Sequence, residues 1–186
     1  MTTFLVYLYL VVFILFDLFL FVLGFEIFIT NIKGRAPEIP STIKQRMAVV
    51  KQIHKFAPNA KTIIDIGSGW GTMVRTVAKK NKHAKVIGVE IMPLPYIYSL
   101  IRSVFVRNAK FVRADAFKYI NKDNKKFDVG ITYLLTPEMR NVQKVLSHFD
   151  VLISVDFPLP DVKPTQKIKI HRDFLAQHWL YVYKNN

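Results

Sequence analysis

The chain has 186 residues and a formal net charge of +14, from 27 Lys and Arg against 13 Asp and Glu. It has no cysteine, which excludes a disulfide framework and thiolate metal sites, and its five histidines lack ligand spacing, so no metal is expected. The length suggests one domain with an appendage. The charge is typical of proteins with an anionic partner, either nucleic acid or a lipid surface, and a Lys-rich solvated surface is the alternative.

The first predicted element is a long apolar helix. Residues 4–29 are almost wholly apolar, interrupted only by Asp17, Gly24 and Glu26. About 20 apolar residues suffice to cross a bilayer. Placing Asp17 in the middle of a membrane costs about 3 kcal/mol. About ten Leu, Ile and Phe residues contribute roughly −0.3 to −0.6 kcal/mol each, and together they more than offset that cost. The segment 1–32 is therefore predicted to be a transmembrane anchor.

The positive charges predict how that anchor is oriented. No Lys or Arg precedes Lys33, and then Lys33, Arg35, Lys44 and Arg46 follow closely. Basic residues prefer the cytoplasmic side of a membrane. We therefore expect a single-pass protein whose remaining chain faces the cytoplasm, or the mitochondrial matrix in a eukaryote, with membrane lipid as a partner.

Residues 33–60 are predicted to form a linker and a first helix. Gly34, Pro37 and Pro40 mark the linker, and Ser41 is the expected N-cap of the helix, which ends before Pro58. The remaining residues, 61–186, are assigned to a cofactor-binding domain.

That domain opens on a strand, a glycine turn and a helix. The apolar run Ile63-Ile64 is closed by Asp65, and Gly67, Gly69 and Gly71 follow at every second position. Glycines let a backbone turn tightly and approach a ligand closely. The helix start behind them offers unpaired N–H groups. An ordinary tight β–α turn is the structural alternative.

A second acidic residue narrows the choice of ligand. Glu90 closes the next strand, Lys85–Val89, and an acid at that place of a β–α–β unit can accept both hydroxyls of a ribose. Asp65 precedes the glycines, where an acid repels phosphate but suits a ligand with positive charge. S-adenosylmethionine carries an ammonium, a sulfonium and a ribose but no phosphate. The sequence therefore predicts an S-adenosylmethionine site.

The third strand, Ala109–Arg113, ends in the same way. Asp115 follows it, where its carboxylate can accept from an adenine amino group while Ile91 or Phe117 flanks the ring. Further strands are predicted at Lys125–Tyr133, Val151–Val155, Lys163–Ile170 and Trp179–Tyr183. The order of strands and helices indicates an α/β fold with a Rossmann-like, mostly parallel sheet.

A helix is also expected after Pro93, reaching about Val106. Its apolar residues recur at helical spacing, which favours a face buried in the core. These residues are Tyr96, Ile97, Leu100, Ile101 and Val104.

Five motifs together resemble one small family of class I methyltransferases. They are Pro-x-x-Pro-Ser from Pro37, Asp-Ile-Gly-Ser-Gly-x-Gly from Asp65, Gly-Val-Glu-x-x-Pro from Gly88, Tyr-Leu-Leu-x-Pro from Tyr133, and the final Trp-Leu-Tyr-Val-Tyr. That family includes archaeal protein-lysine methyltransferases and the mitochondrial enzymes that modify the adenine nucleotide translocase and the ATP synthase c subunit. The resemblance covers residues 37 to 183. Two departures are Trp70-Gly71-Thr72 where members often carry Asp-Gly-Arg, and Glu38 where an aromatic residue is common.

The resemblance implies that the C-terminal strand of the sheet is antiparallel, and it implies a role for each matching residue. The first segment closes over the cofactor, the glycine motif holds it, Glu90 binds its ribose and Asp115 its adenine. The full predicted cofactor-binding set is Pro37, Ile39, Pro40, Ser41, Asp65, Gly67, Ser68, Gly69, Glu90, Ile91, Asp115 and Ala116.

The sequence thus predicts a membrane-anchored methyltransferase that transfers methyl groups from S-adenosylmethionine to a lysine of a membrane-associated protein. Tyr133 is the predicted catalytic residue, orienting the amine at the end of the fourth strand, and Glu138 is a weaker candidate. An RNA or small-molecule methyltransferase and a non-catalytic tethered binding protein are the alternatives. Nucleic acid is not expected as a partner, because no separate RNA-binding module is recognisable.

Overall fold

The computed structural model describes residues 2–32, 40–172 and 176–185. They form two units, an N-terminal helix and a compact unit, Ile39–Asn186. The helix, α1 (Thr2–Ile32), contains a candidate membrane span, Phe4–Val22, with a mean hydropathy of 2.7 and none of its residues buried. Its length and composition suit a bilayer, although a signal sequence meets the same criteria. The anchor therefore stays a prediction.

The compact unit alternates strands and helices around one sheet. The described residues form seven strands in the order β3-β2-β1-β4-β5-β7-β6. The elements are α2 (Ile43–Phe56), β1 (Thr62–Ile66), α3 (Thr72–Lys80), β2 (Lys85–Glu90), α4 (Pro93–Arg102), β3 (Ala109–Arg113), α5 (Ala116–Asn121), β4 (Phe127–Thr132), α6 (Thr136–Lys144), β5 (Phe149–Val155), β6 (Gln166–Arg172) and β7 (Gln177–Lys184).

The sheet topology confirms the predicted fold class. Strands β1 to β5 are parallel, and β7 is antiparallel to both of its neighbours, β5 and β6. The chain leaves β1 toward β2 on one side and resumes at β4 on the other, so the order of strands reverses between β1 and β4. Ligands of open α/β sheets bind at the carboxyl ends of the strands near such a reversal. We call that side of the sheet the carboxyl edge.

Apolar side chains cover both faces of the sheet. On one face, Val49, Val50 and Ile53 of α2 pack with α3 against β1 and β4. On the other, helices α5 and α6 pack against the opposite side of the same strands. Because α2 contributes fully buried residues to this core, it belongs structurally with the compact unit and not with the linker.

The prediction that α4 buries its apolar face is wrong. Ile97, Leu100 and Ile101 are 48%, 41% and 67% exposed, and the buried residues of this helix are Pro95 and Ser99. The helix lies against the loop after β1, where a Cβ on Gly71 would come within 2.6 Å of the Ser99 hydroxyl. Only small residues fit that contact, so the apolar stripe of α4 is turned outward.

Candidate cofactor and acceptor site

The loop between β1 and α3 depends on its three glycines. Gly67, Gly69 and Gly71 have φ angles of 74°, 50° and 68°. This left-handed region is open to glycine and strained for other residues. The amides of Gly67 and Ser68 both donate to the carbonyl of Val89, at 3.1 and 3.0 Å, which ties the loop to β2. The sequence motif therefore produces a tight turn at the carboxyl edge, as predicted.

Helix α4 supports this loop from outside. The Ser99 hydroxyl donates to the Gly69 carbonyl at 3.2 Å. The Trp70 ring meets the Tyr98 ring edge-on, with centroids 5.2 Å apart. On the other side, a Cβ added to Gly67 would lie 2.8 Å from Leu134 Cδ2. The loop is thus held between α4 and the end of β4.

Ser68 is tied to this edge through its backbone amide, which donates to Val89. Its hydroxyl is buried, and among the described residues it has no hydrogen-bond partner. It faces the backbone of β2, where a Cβ on Gly88 would lie 2.8 Å from it. A cofactor role for Ser68 stays a prediction.

Glu90 ties together the two loops that flank the predicted ribose position. Its Oε2 accepts from the Gly69 amide at 2.8 Å. Its Oε1 accepts from the amides of Ile91 and Met92, each at 2.8 Å. A carboxylate offers about four acceptor positions, so one further donor can be accepted. Glu90 therefore lies where a ribose acceptor is expected and also organises the loop around it.

Asp115 lies at the end of β3 and caps the following helix. One of its oxygens, Oδ1, accepts from the amides of Phe117 and Lys118 at 2.9 and 3.1 Å. The negative side chain thereby satisfies two of the free N–H groups of α5. Ala116 is the first residue of that helix. The second oxygen, Oδ2, takes no hydrogen bond from a described residue and is left for the predicted adenine contact.

Asp65 is the most strongly perturbed acid of the described chain. It is buried at the end of β1, with 3% of its surface exposed. Burial raises the pKa of its carboxyl to about 8, and the negative charge of Glu90 adds to the shift. A positively charged ligand group beside Asp65 would favour the ionised form. The ammonium and sulfonium of S-adenosylmethionine meet that requirement, so the acids present fit this cofactor.

The predicted N-cap of α2 is wrong by one residue. Thr42 caps the helix: its hydroxyl accepts from the Gln45 amide at 3.2 Å, and Gln45 Oε1 accepts from the Thr42 amide at 2.7 Å. This reciprocal pair satisfies two free donors at once. Ser41 is instead buried, with its hydroxyl 3.5 Å from that of Thr72 at the start of α3.

Only some of the other residues in the predicted closing segment are described by the structure. Pro40 is described and exposed, next to Ser41. Pro37 and Ile39 lie outside the described residues. The contact between Ser41 and Thr72 places the end of this segment beside the helix that follows the glycine loop.

A second group of polar residues joins the predicted Tyr133 to three residues that the sequence did not single out. Gln45, Tyr133, Asp156 and His178 meet at the carboxyl edge, and we call them the acceptor-side cluster. Gln45 Nε2 lies 2.9 Å from Asp156 Oδ2, 3.3 Å from the Tyr133 hydroxyl and 3.2 Å from His178 Nδ1. His178 Nδ1 is also 2.8 Å from Asp156 Oδ2.

These distances assign the protons of the cluster. A carboxylate only accepts, so His178 Nδ1 carries a proton and donates to Asp156. Gln45 Nε2 and His178 Nδ1 are then both donors, and the two amide protons of Gln45 go to Asp156 and Tyr133. The remaining oxygen of Asp156 accepts from the Trp179 amide at 2.9 Å. Asp156 thus orients the imidazole through its Nδ1 nitrogen.

Strand register places this cluster beside the glycine loop. Thr132 is aligned with Ile66 of β1 on one side and with Ser154 of β5 on the other. The residues that follow these three therefore leave the sheet at one level. Glu90 and Asp115 lie at the same edge but on the side of β2 and β3. The cofactor position and the acceptor-side cluster are consequently neighbours, divided by the end of β4.

Tyr133 and Glu138 differ in their suitability as acceptor-side groups. Tyr133 is half-buried, stacks on Phe157 with ring centroids 6.5 Å apart, and points its hydroxyl at Gln45. Glu138 instead accepts from Asn141 Nδ2 at 3.2 Å, within its own helix. The geometry therefore keeps Tyr133 as a candidate and adds His178, while Glu138 serves α6.

The Gln45 contacts predict a large effect on stability. Replacing this fully buried residue with alanine removes the donor to Asp156 and the partner of Thr42. We expect the free energy of unfolding to fall by about 3 kcal/mol, because buried polar groups lose their partners. Gln52→Ala is the matched control on the same helix. Gln52 is also buried, but its Oε1 has no partner among the described residues, so a smaller loss is expected. Denaturant unfolding of both variants measures the difference, and equal losses would contradict it.

Comparisons with known proteins find similarity to methyltransferases. Residues 59–137 match the Methyltransf_4 family of methyltransferases. N-methyltransferase 4 of Papaver somniferum is 30% identical over 90 residues, which are 47% of this chain and 25% of that protein. The tRNA (guanine-N(7)-)-methyltransferase of Chloroherpeton thalassium is 29% identical over 116 residues, 61% of this chain and 42% of that protein. The chain thus spans about a quarter to two fifths of these relatives' length.

A solved structure supports the fold. The RNA methyltransferase of Salinibacter ruber, in complex with S-adenosyl-L-homocysteine, superposes with a TM-score of 0.60 at 19% identity, covering 78% of this chain and 93% of the other. The chain thus has the fold of S-adenosylmethionine-dependent methyltransferases, and the glycine loop and the acids at its carboxyl edge fit S-adenosylmethionine as the cofactor.

Proposed function

We propose that the protein is an S-adenosylmethionine-dependent methyltransferase that acts on RNA. The observation that carries the proposal is the 29% identity to a tRNA (guanine-N(7)-)-methyltransferase over 116 residues. A net charge of +14 is consistent with it, because phosphates attract Lys and Arg. RNA thereby takes precedence over the protein-lysine substrate that the sequence motifs favoured, and the expectation that nucleic acid is no partner is not supported.

The chemistry of the site agrees with methyl transfer to a ring nitrogen of a nucleobase. Methyl transfer from a sulfonium is an in-line displacement, for which alignment of acceptor, methyl and sulfur supplies much of the rate. A ring nitrogen such as N7 of guanine has a lone pair and no proton, so its methylation needs no general base. In this reaction the Tyr133 ring and hydroxyl would position the base, and His178 would act as a hydrogen-bonding group.

The second candidate is methylation of a protein lysine, which the candidate membrane span favours. A lysine has a pKa of ~10.4 in water and must lose its proton before it can attack. The imidazole of His178, oriented by Asp156, would be the proton acceptor in that case. The two candidates therefore differ in their need for His178.

The test uses the full chain in detergent micelles with S-adenosylmethionine labelled in its methyl group. The acceptors are total RNA and, separately, washed membranes, and a Glu90→Ala variant is the inactive control. We expect ribonuclease-sensitive label in RNA, with nucleoside analysis identifying the modified base. Protease-sensitive label recovered as methyl-lysine would reject RNA and establish the second candidate. Label in neither fraction would reject both acceptors.

The need for a general base distinguishes the two candidate reactions, methylation of RNA and methylation of lysine, further. His178→Asn should leave transfer to a ring nitrogen within a few-fold of the unmodified rate. The same substitution should nearly abolish transfer to lysine at neutral pH. His171→Asn is the matched control, because His171 stacks on His178 with centroids 4.6 Å apart but does not contact Asp156 through any described bond.

A further inference from the structure

Helix α4 and the turn after it carry an apolar surface that the fold does not cover. Ile97, Ile101, Val104 and Phe105 are 48%, 67%, 69% and 97% exposed. Ile97 and Ile101 are one helical turn apart on the same side of α4, and Val104 and Phe105 lie in the turn that follows the helix. We call these four residues the α4 stripe. Exposed apolar residues in such a contiguous row mark an interaction site.

Positive charges flank the stripe along the chain. The 24 residues between Glu90 and Asp115 contain no acid, and they contain Arg102, Arg107, Lys110 and Arg113. Arg75 of α3 adds to them, with its guanidinium 5.9 Å from the ring centre of Tyr98. The partner of the stripe must therefore offer both apolar surface and negative charge.

The turn that presents Phe105 is held in place. Asn108 Nδ2 donates to the carbonyls of Ala78, Asn81 and Ala84, at 2.9, 3.0 and 2.9 Å. The Val106 amide donates to Ser103 and the Ala109 amide to Val106, at 2.8 and 2.9 Å. Exposure of Phe105 is thus a property of an ordered turn.

The stripe leads away from the reaction site. Because β2 and β3 are parallel, α4 must run from the carboxyl end of β2 to the amino end of β3. Phe105 consequently lies at the amino edge of the sheet, while Glu90 and Asp115 lie at the carboxyl edge. A partner seated on Phe105 leaves the cofactor and acceptor positions open.

We propose that the α4 stripe, with Arg102 and Arg107, docks on a bilayer that contains anionic lipids. Aliphatic and aromatic side chains enter the boundary between headgroups and acyl chains, and the arginines bind phosphate headgroups. RNA would bind the arginines but gain little from Ile and Val. A second copy of the chain would bring like charges together. The inference is independent of which acceptor is methylated.

The candidate span Phe4–Val22 belongs to the same chain, which would keep the stripe at high effective concentration near a membrane. Docking through α4 would then turn the carboxyl edge away from the lipid. An acceptor would approach from the aqueous side.

The chain's lack of cysteine allows a direct test. Val104→Cys in the full chain carries an environment-sensitive fluorophore, and Thr136→Cys at the exposed start of α6, on the carboxyl edge, is the matched control. Both proteins are reconstituted into phosphatidylcholine vesicles with and without phosphatidylglycerol, with nitroxide-labelled lipid as quencher. We expect several-fold stronger quenching at position 104 than at 136, increasing with phosphatidylglycerol.

Two further substitutions separate the apolar contribution to lipid docking from the electrostatic one. Phe105→Ser and Arg107→Glu, each in the Val104→Cys chain, should each reduce the quenching, since both side chains are exposed and their loss leaves the fold intact. Equal quenching at positions 104 and 136, or none at 104 in anionic vesicles, would overturn the proposal. Shielding of the label by added RNA, without quenching by lipid, would assign the surface to nucleic acid and likewise overturn it.

Discussion

Replacing Glu90 with alanine is expected to weaken S-adenosylmethionine binding by about a hundredfold or more, equivalent to ~2.7 kcal/mol. The carboxylate is the predicted ribose acceptor, and it also accepts three backbone amides, those of Gly69, Ile91 and Met92. Without it these donors lose their charged partner, and the glycine loop loses its link to the end of β2. The free energy of unfolding should fall by about 3 kcal/mol in the same variant.

Glu90→Gln is the matched control for this prediction. The amide keeps one acceptor oxygen for Ile91 and Met92, but it turns an NH₂ group toward the Gly69 amide, where two donors oppose each other. We therefore expect an intermediate loss of stability and still a large loss of affinity. Calorimetric titration of the full chain in micelles measures the affinity, and denaturant unfolding the stability. Full binding by the alanine variant would remove Glu90 from the cofactor site.

Asp65→Asn is expected to change how both stability and cofactor affinity depend on pH. Burial and then the charge of Glu90 raise the pKa of Asp65 to about 8 in the folded protein, against about 3.9 in an unfolded chain. Between these values the folded state binds the additional proton. The free energy of unfolding of the free protein must therefore fall as the pH rises from about 4 to about 8.

The limiting slope of that fall is about 1.4 kcal/mol per pH unit. Below about pH 4 both states are protonated, and above about pH 8 both are ionised, so the slope disappears outside the window. The asparagine variant should lack this contribution and be the more stable protein at pH 8. Denaturant unfolding at pH 5.5 and pH 8 measures it, and parallel profiles for the two proteins would contradict the assignment.

The affinity for S-adenosylmethionine should rise with pH, whereas the free energy of unfolding falls. Only ionised Asp65 attracts an ammonium or sulfonium, so affinity rises with pH, by up to about tenfold per unit below the pKa. The window ends near pH 7.5, because the ligand's α-amino group has a pKa of ~7.7–8.0. Titrations at pH 6.5 in buffers of different ionisation enthalpy should show about one proton released per bound cofactor.

Asp128→Asn is the control for proton release. Burial opposes ionisation of Asp128, but hydrogen bonds from the Thr62 amide and hydroxyl and from the Lys61 amide hold its pKa below the ordinary value. It lies at the start of β4, on the edge opposite to Asp65. Its substitution should leave proton release unchanged, while Asp65→Asn should abolish it. Proton release that persists without Asp65 would point to a different titrating group.

Most of the cofactor site was predictable because its determinants are close together in sequence. Asp65, the three glycines and Glu90 belong to one β–α–β unit, in which strand ends meet at one edge by construction. The register of β1 and β2 confirms that placement. Asp115 follows from one further repeat of the same unit. The fold class was confirmed for the same reason.

The acceptor-side cluster could not be predicted in this way. Gln45 contacts Asp156 and His178 across 111 and 133 residues of chain. Asp156 follows β5 in a sequence that reads as a strand break, with a φ of 63°, and His178 stands alone among scattered histidines. No local spacing connects these residues, since the order of β4, β5 and β7 in the sheet and the packing of α2 against that sheet bring them together.

The sequence by itself determined the β–α–β order, the glycine turn and the acids at three strand ends, because each depends on periodicity and spacing within a few tens of residues. The tertiary structure alone decided which side of α4 is buried. A helical apolar period is the same whether it faces a core or a solvent-exposed surface. Here the close contact between Ser99 and the glycine loop means that the side of α4 with small residues is the buried one. The tertiary structure likewise decided which polar residues surround Tyr133, since strand order and register are properties of the assembled sheet.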